Sequence, residues 1–308
     1  MKRISLLLFI IIIMLAVNAR SQYRVIDSLN LKLADARNDT MRLVLAQRLG
    51  WEWLNINCDT SLIYLNRYFE LSGQLGYNIN QADALHLKAF NYIYLANYAI
   101  ALENLYKALD IADEADKNKK ILPAVYLTLL QIPDSQQTYD KYKLNTLAYI
   151  HYTFALLYWI NEREEQALHI QKFNEIAKQT KDITLMAQYY FWKGQTGIGS
   201  SDSAIYYMDQ ARSLFLKSRN RKLLGPLMEF IGLAYHTQND HKSELKYLLL
   251  GLYYNTINDN IRNSGFSYLK LSGYYSEFQR TDSAIYYARR ALAVAEKGNH
   301  PDLEVMAA

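Results

Sequence analysis

The segment Ser201-Asp202-Ser203-Ala204-Ile205-Tyr206-Tyr207 returns almost unchanged 80 residues later as Thr281-Asp282-Ser283-Ala284-Ile285-Tyr286-Tyr287, and no other feature constrains the fold as much. Eighty residues are two periods of 40. A fixed period of about 20–50 residues is the mark of stacked supersecondary units, each covering the apolar face of its neighbour. A fainter copy is Asp59-Thr60-Ser61-Leu62-Ile63-Tyr64. In all three a Ser/Thr/Asp cluster precedes an apolar run at helical spacing, so these polar side chains can cap the free N–H groups of a helix start.

A second apolar helix ends a few residues before each such start, and on it a small residue is followed three places on by an aromatic. Gly50 pairs with Trp53, Ala89 with Tyr92, Ala155 with Tyr158, Gly232 with Tyr235 and Ser272 with Tyr275. Twelve residues after each small residue stand Leu62, Ala101, Ala167, Glu244 and Ala284, and seven further on Phe69, Ala108, Asn174, Gly251 and Ala291. Small side chains at such places let two helices cross closely. The second helices are expected from about 62, 101, 167, 204, 244 and 284. The step from 101 to 167 is too long for one repeat and too short for two. It contains Pro123 and Ile132-Pro133-Asp134-Ser135, so 118–140 is expected to hold a degenerate pair or an insertion.

This pattern resembles the tetratricopeptide repeat, best in Asn97–Leu109 and Thr281–Leu292, over residues 40 to 300. The departures are Leu62 and Phe69, which are large, Glu244 and Asn174, which are polar, and the 183–213 pair with Trp192 and Gln195 on its first helix. The resemblance implies an all-α, right-handed superhelical solenoid of antiparallel helix pairs. Pairs 1–2 would occupy 40–117 and pairs 3–6 would occupy 141–300, preceded by a leading helix over 22–39. Ile26-Asp27-Ser28-Leu29 through Gly50-Trp51-Glu52-Trp53-Leu54 also looks like the start of the exported sensor half of bacterial repeat-containing histidine kinases. That likeness implies a sensor or scaffold in a signalling system. It concerns the sensor half alone, because no second apolar run of membrane length and no glycine-rich ATP-binding boxes follow.

The first residues read as a targeting segment: Lys2 and Arg3, an unbroken apolar run from Ile4 to Val17, then Asn18-Ala19-Arg20-Ser21-Gln22. The run falls short of the roughly 20 apolar residues that span a bilayer. A signal peptide over 1–21, cut within 19–22, and an exported protein of the periplasm or cell envelope are therefore expected. Contact with the membrane would come only through an uncleaved signal or a missing C-terminal part. Loss of Lys2 and Arg3 takes the basic count from 34 to 32 against 30 acids. A near-neutral chain argues against nucleic acid as a partner. The single cysteine, Cys58, can form no internal disulfide and reads as a turn or core residue. Proline is scarce at 4 residues, which leaves little room for strands and turns. Tyrosine, at 27, exceeds what a helical core needs and points to a tyrosine-rich surface or groove.

Pro301–Ala308 reads as the opening of one more, incomplete helix. The apolar side of the preceding helix (Ala284, Ile285, Ala288, Ala291, Leu292, Ala295) would then need a further repeat, a capping helix or a partner. Self-association through that end is one expectation and a longer parent protein the other.

Stacked as in the resembled family, the first helices line a concave wall that grips a protein or peptide segment. The candidate groove residues are Gln47, Trp51 and Asn55; His86, Phe90 and Tyr94; Tyr152 and Trp159; and Glu229 and His236. Leu54, Ile93, Leu156, Ile160, Leu233 and Thr237 stand beside them. Aromatic anchors with scattered polar groups suit an extended peptide or a helix. The family's basic clamp for a C-terminal carboxylate is not carried over, because Gln47, His86 and Tyr152 stand in its places.

His236, Asp240 and His241 include proper zinc donors, yet they flank an inter-helix turn where polar residues are expected anyway. Gly194-Gln195-Thr196-Gly197-Ile198-Gly199 follows a helical stretch with no lysine after it, and reads as a turn and not a phosphate loop. Glu162, Glu164 and Glu165 read as a solvated cluster. No nucleophile–base spacing stands out, so neither an enzyme activity nor a cofactor is expected.

Overall fold

A computed structural model describes residues 23–130, 138–158, 163–196, 201–218, 221–298 and 300–307. The expected signal segment, Trp159, Ile160, Glu162 and Gly197-Ile198-Gly199 lie outside them, as does 131–137 of the expected insertion.

Every regular element among the described residues is helical. A helix over 23–34 (α1) precedes α2 (Asp39–Trp53), α3 (Cys58–Gln74), α4 (Asn78–Tyr94), α5 (Tyr98–Glu114) and the short α6 (Ala124–Leu129). Then come α7 (Tyr139–Leu157), α8 (Arg163–Thr180), α9 (Ile183–Thr196), α10 (Ser201–Lys217), α11 (Leu224–Thr237), α12 (His241–Ile257), α13 (Ile261–Glu277), α14 (Thr281–Gly298) and α15 (Pro301–Ala307). They form two compact units. One is Leu29–Tyr189, and the other is Tyr190–Ala308 with the described residues before Leu29.

In the first unit α2 packs on α3, α3 on α4, α4 on α5 and α7 on α8, and α4 shows why pairs need one another. Its Ala84 and Leu87 join Leu43, Val44, Leu65, Tyr68 and Leu71 in one apolar cluster. Its Ile79, Ala82, Leu85 and Ala89 join Ala101, Leu105, Ala108, Ile150 and Phe154 in another. A helix apolar on two faces cannot be satisfied within one pair, so the core runs on from pair to pair. The segment after α5 does not extend this ribbon. It folds back, and Leu122, Leu127 and Leu130 close the first cluster. Lys120 Nζ donates to the Leu75 carbonyl and lies 4.4 Å from the Tyr77 ring centre, which pins the segment to the α3–α4 turn. The described part of the long step up to Leu130 is thus a strap against α2, while α7 packs on both α4 and α5.

The turns share one chemistry. After α4 the Asn97 N–H bonds the Tyr92 carbonyl and the Ala96 N–H bonds that of Ile93, with Ala96 at φ 54°. The same pair of bonds closes α3 around Gly76, α11 around Asn239, α12 around Asp259 and α13 around Gln279. This is the left-handed closure that satisfies the last carbonyls of a helix. The next helix starts at once, capped by Asn97 on the Ile100 N–H and by Asp240 on the Ser243 N–H. At α3 the cap is Asn57, two residues before the expected Asp59-Thr60-Ser61 cluster.

That offset corrects the repeat register. The fourth residue of each second helix packs against the small residue of the first, and in two pairs it comes eleven, not twelve, residues later because the second helix starts eight, not nine, residues after that small residue. Ser61, not Leu62, is therefore the fully buried contact, and its hydroxyl donates to the Gly50 carbonyl at 2.7 Å. Gln166, not the exposed Ala167, donates to the Ala155 carbonyl at 3.2 Å. Seven residues on, Tyr68 and Phe173 are fully buried where Phe69 and Asn174 were expected. Gly194 is a helix residue and not part of a turn. A Cβ there would lie 2.5 Å from Met208 Cγ and 3.1 Å from the Ala204 carbonyl, so it is the small residue of its own pair.

In the second unit α11 to α14 pack in the same serial way. Leu303 of α15 is fully buried, close enough that a Cβ on Gly265 would meet it at 2.3 Å. Ala291 and Ala295 of α14 are buried as well, whereas Val305 and Met306 are exposed.

Candidate binding site

Counting from the small residue of each first helix sorts the candidate groove positions by reach. The residue one place after it is accessible in every described pair: Trp51, Phe90 and Leu156 are half-buried, and Leu233 is exposed. The residue three places before it turns toward the neighbouring helix. There Gln47 and Tyr152 are half-buried, while His86 and Glu229 are 5% and 3% exposed. A guest cannot touch groups so enclosed, and His86 and Glu229 are corrected from groove residues to interior ones. Asn55 is also buried, in the turn after α2.

In the first unit the accessible set is aromatic. The Phe90 and Tyr94 rings meet edge to face at 4.9 Å on α4. Tyr152 on α7 leans on Phe173 of α8 at 5.7 Å, and burial raises its phenol pKa well above the ordinary value. Trp51 packs along the cluster of α2, α3 and α4. Rigid rings with a polar tip give large contact area at small entropic cost.

Behind these rings lie polar networks that the sequence did not announce. Tyr68 and Tyr142 both accept from the Asn80 amide, at 3.1 and 2.9 Å, and Tyr68 donates to Asp83. Burial raises both phenols far above their usual range, so they stay neutral. His151 and His169 face each other with Nδ1 atoms 2.9 Å apart, and the His169 ring stacks at 4.2 Å on Phe154. Burial lowers both imidazoles to about 4. In the second unit Glu229 accepts from Lys270, Ser267 and Asn255, tying α11 to α12 and α13.

His236, the remaining candidate, sits half-exposed at the end of α11. Asp240 is engaged as the α12 cap. The exposed Glu164 and Glu165 lie in the first turn of α8, where acidic groups suit the helix dipole.

No family model matches the chain, and no curated protein resembles it significantly. Solved structures do. A Rap protein complexed with competence and sporulation factor aligns with a TM-score of 0.62 at 12% identity, over 93% of this chain and 72% of that one. The fold is a tetratricopeptide-like helical repeat. The apo form of RapI gives this helical-repeat protein a TM-score of 0.55 at 14% identity, over 91% of this chain and 95% of that one. Aspartyl phosphate phosphatase F from Bacillus subtilis gives 0.58 at 14% identity, over 92% and 70%. At such identities the helical-repeat protein shares a fold with these structures, and no side chain is carried over. No helix among the described residues is long and apolar enough to cross a membrane.

Proposed function

We propose that the chain is a non-enzymatic binding module whose first-helix face takes up a protein or peptide segment. The observation that carries this reading is the accessible aromatic set Trp51, Phe90, Tyr94 and Tyr152, which recurs on successive first helices of a repeat fold. Support comes from the structural neighbour that is complexed with competence and sporulation factor. The guest lies along these rings, its apolar side chains seated between them and its polar groups on the Gln47 amide. The finer reading is a sensor or scaffold of the cell envelope, supported by the targeting-type start and by the likeness to exported kinase sensors. In a second version of that reading the chain is the N-terminal part of a membrane-bound histidine kinase whose catalytic part lies outside these residues.

The test has two stages. Peptides from a digested envelope extract are captured on the immobilised chain and sequenced, and one is then synthesised with a fluorophore. Anisotropy with the native chain and with the Trp51→Ala/Phe90→Ala/Tyr94→Ala variant should show at least a tenfold loss of affinity, since each lost aromatic anchor removes about 1–2 kcal/mol. Equal affinity would reject this face. Fractionation of cells carrying the full gene tests location, and protein found solely in the cytoplasm would remove the envelope reading.

A further inference from the structure

One cluster in the second unit is left over by the binding face and by the core. His236 ends α11, His241 opens α12 and Glu277 ends α13, and one donor atom from each lies within 4.8 Å of the other two. His236 Nδ1 is 3.9 Å from a Glu277 oxygen. Glu244, one turn into α12, lies beneath both rings. Its carboxylate is nearly sealed from solvent, and its two oxygens are each 3.1 Å from an imidazole Nδ1, one of His236 and the other of His241.

We propose that His236, His241 and Glu277 form a site for a divalent transition-metal ion of the zinc class, with Glu244 as its supporting carboxylate. Three observations carry this. First, a neutral imidazole that donates its Nδ1–H to a carboxylate keeps its Nε2 lone pair for a metal, and Glu244 stands at the Nδ1 of both rings. A carboxylate that fixes the tautomer and aim of a histidine from behind is the usual outer support of a metal ligand. Second, burying Glu244 between two histidines costs desolvation, which solvated turn residues would have no need to bear. Third, the residues come from three helices of two successive pairs, 41 positions apart at the extremes, so chance proximity along one turn does not bring them together. Phe278 packs edge to face on His241 at 4.9 Å and limits that ring's rotation.

Two imidazoles and one carboxylate suit zinc, not magnesium or calcium, which take all-oxygen sets. Zinc-ligand bonds of about 2.0–2.2 Å in a tetrahedron put donors about 3.4 Å apart, so these side chains need to close by about an ångström. Three protein ligands leave a fourth position to water or to a donor group of a guest. The ion would also tie the α11–α12 turn to the end of α13 and so stiffen one edge of the repeat.

Calorimetric titration of the full chain, stripped with a chelator, with zinc chloride should show one site, with no heat from magnesium chloride. Cobalt chloride should give the visible absorption of a four-coordinate ion. His241→Ala and, separately, Glu277→Gln should weaken zinc binding at least tenfold while the far-ultraviolet circular dichroism stays unchanged. Glu244→Gln should weaken it by about 10–100-fold, the range typical of lost outer-sphere support. The exposed Glu277→Gln keeps the test valid even where His241→Ala fails to fold. No zinc binding by the native chain, or equal affinity in Glu277→Gln and the native protein, overturns the proposal. A site that is instead lost in His151→Ala does the same.

Discussion

At the scale of single residues, the turns carry the clearest stored strain. Ala96, Lys181, Asn239, Asp259 and Gln279 all sit in the left-handed region at φ between 52° and 59°, where a Cβ crowds the following carbonyl. Gln279→Gly removes that crowding without touching the core and should raise unfolding stability by about 1 kcal/mol, seen as a higher urea midpoint. The His151–His169 pair sets a pH dependence. With both rings neutral, one Nδ1–H donates to the other Nδ1, and a proton on the accepting ring would leave two donors facing each other. The unfolded histidines titrate near 6.5 and the folded ones near 4. The unfolded chain therefore binds more protons between those values, and stability, undiminished above pH 6.5, falls as pH drops toward 4. His300, lowered to about 3 by burial and then by Arg262, adds to the same fall. Urea midpoints between pH 7 and 4.5 should decline, and His151→Gln should flatten the decline.

At the scale of elements, small residues decide how closely helices cross. A Cβ on Gly251 would lie 2.6 Å from Glu229 Cγ and 3.2 Å from the Gly225 carbonyl, a backbone atom that cannot swing aside. Gly251→Leu should force α11 and α12 apart at a cost of about 2–3 kcal/mol, read from the shift in denaturant midpoint. The helices themselves were legible because apolar spacing and capping residues act locally. Their mutual register was not. Whether Ser61 or Leu62 meets Gly50 depends on one residue more or less before the next helix starts, and the adjacent Ser61 and Leu62, like Gln166 and Ala167, offered near-equal alternatives. Gly194 was lost for a related reason: beside Gly197 and Gly199 it looks like turn material, and only Met208 and the Ala204 carbonyl pressed against it show a crossing point.

For the molecule as a whole, serial packing makes damage local. Glu229 is buried and shared between α11, α12 and α13, so Lys270→Met leaves a carboxylate without its countercharge. Lys270 is partly exposed and Ser267 and Asn255 still donate to the carboxylate, so the expected loss is about 1–2 kcal/mol. Because this carboxylate joins α11, α12 and α13, amide hydrogen exchange should accelerate in these three helices. The sequence alone determined the all-helical repeat, since a 40-residue period and scarce breakers leave no other way to cover the apolar faces. It also pointed to the accessible aromatics Trp51, Phe90 and Tyr94, which follow from counting along one helix. Tertiary structure alone decided which polar residues are interior. His86 and Glu229 occupy the same register position as the more open Gln47 and Tyr152, and what separates them is the neighbouring helix. It also brought Glu277 to His236 and His241. That contact joins turns of different repeats, and local spacing carries no information about the distance between them.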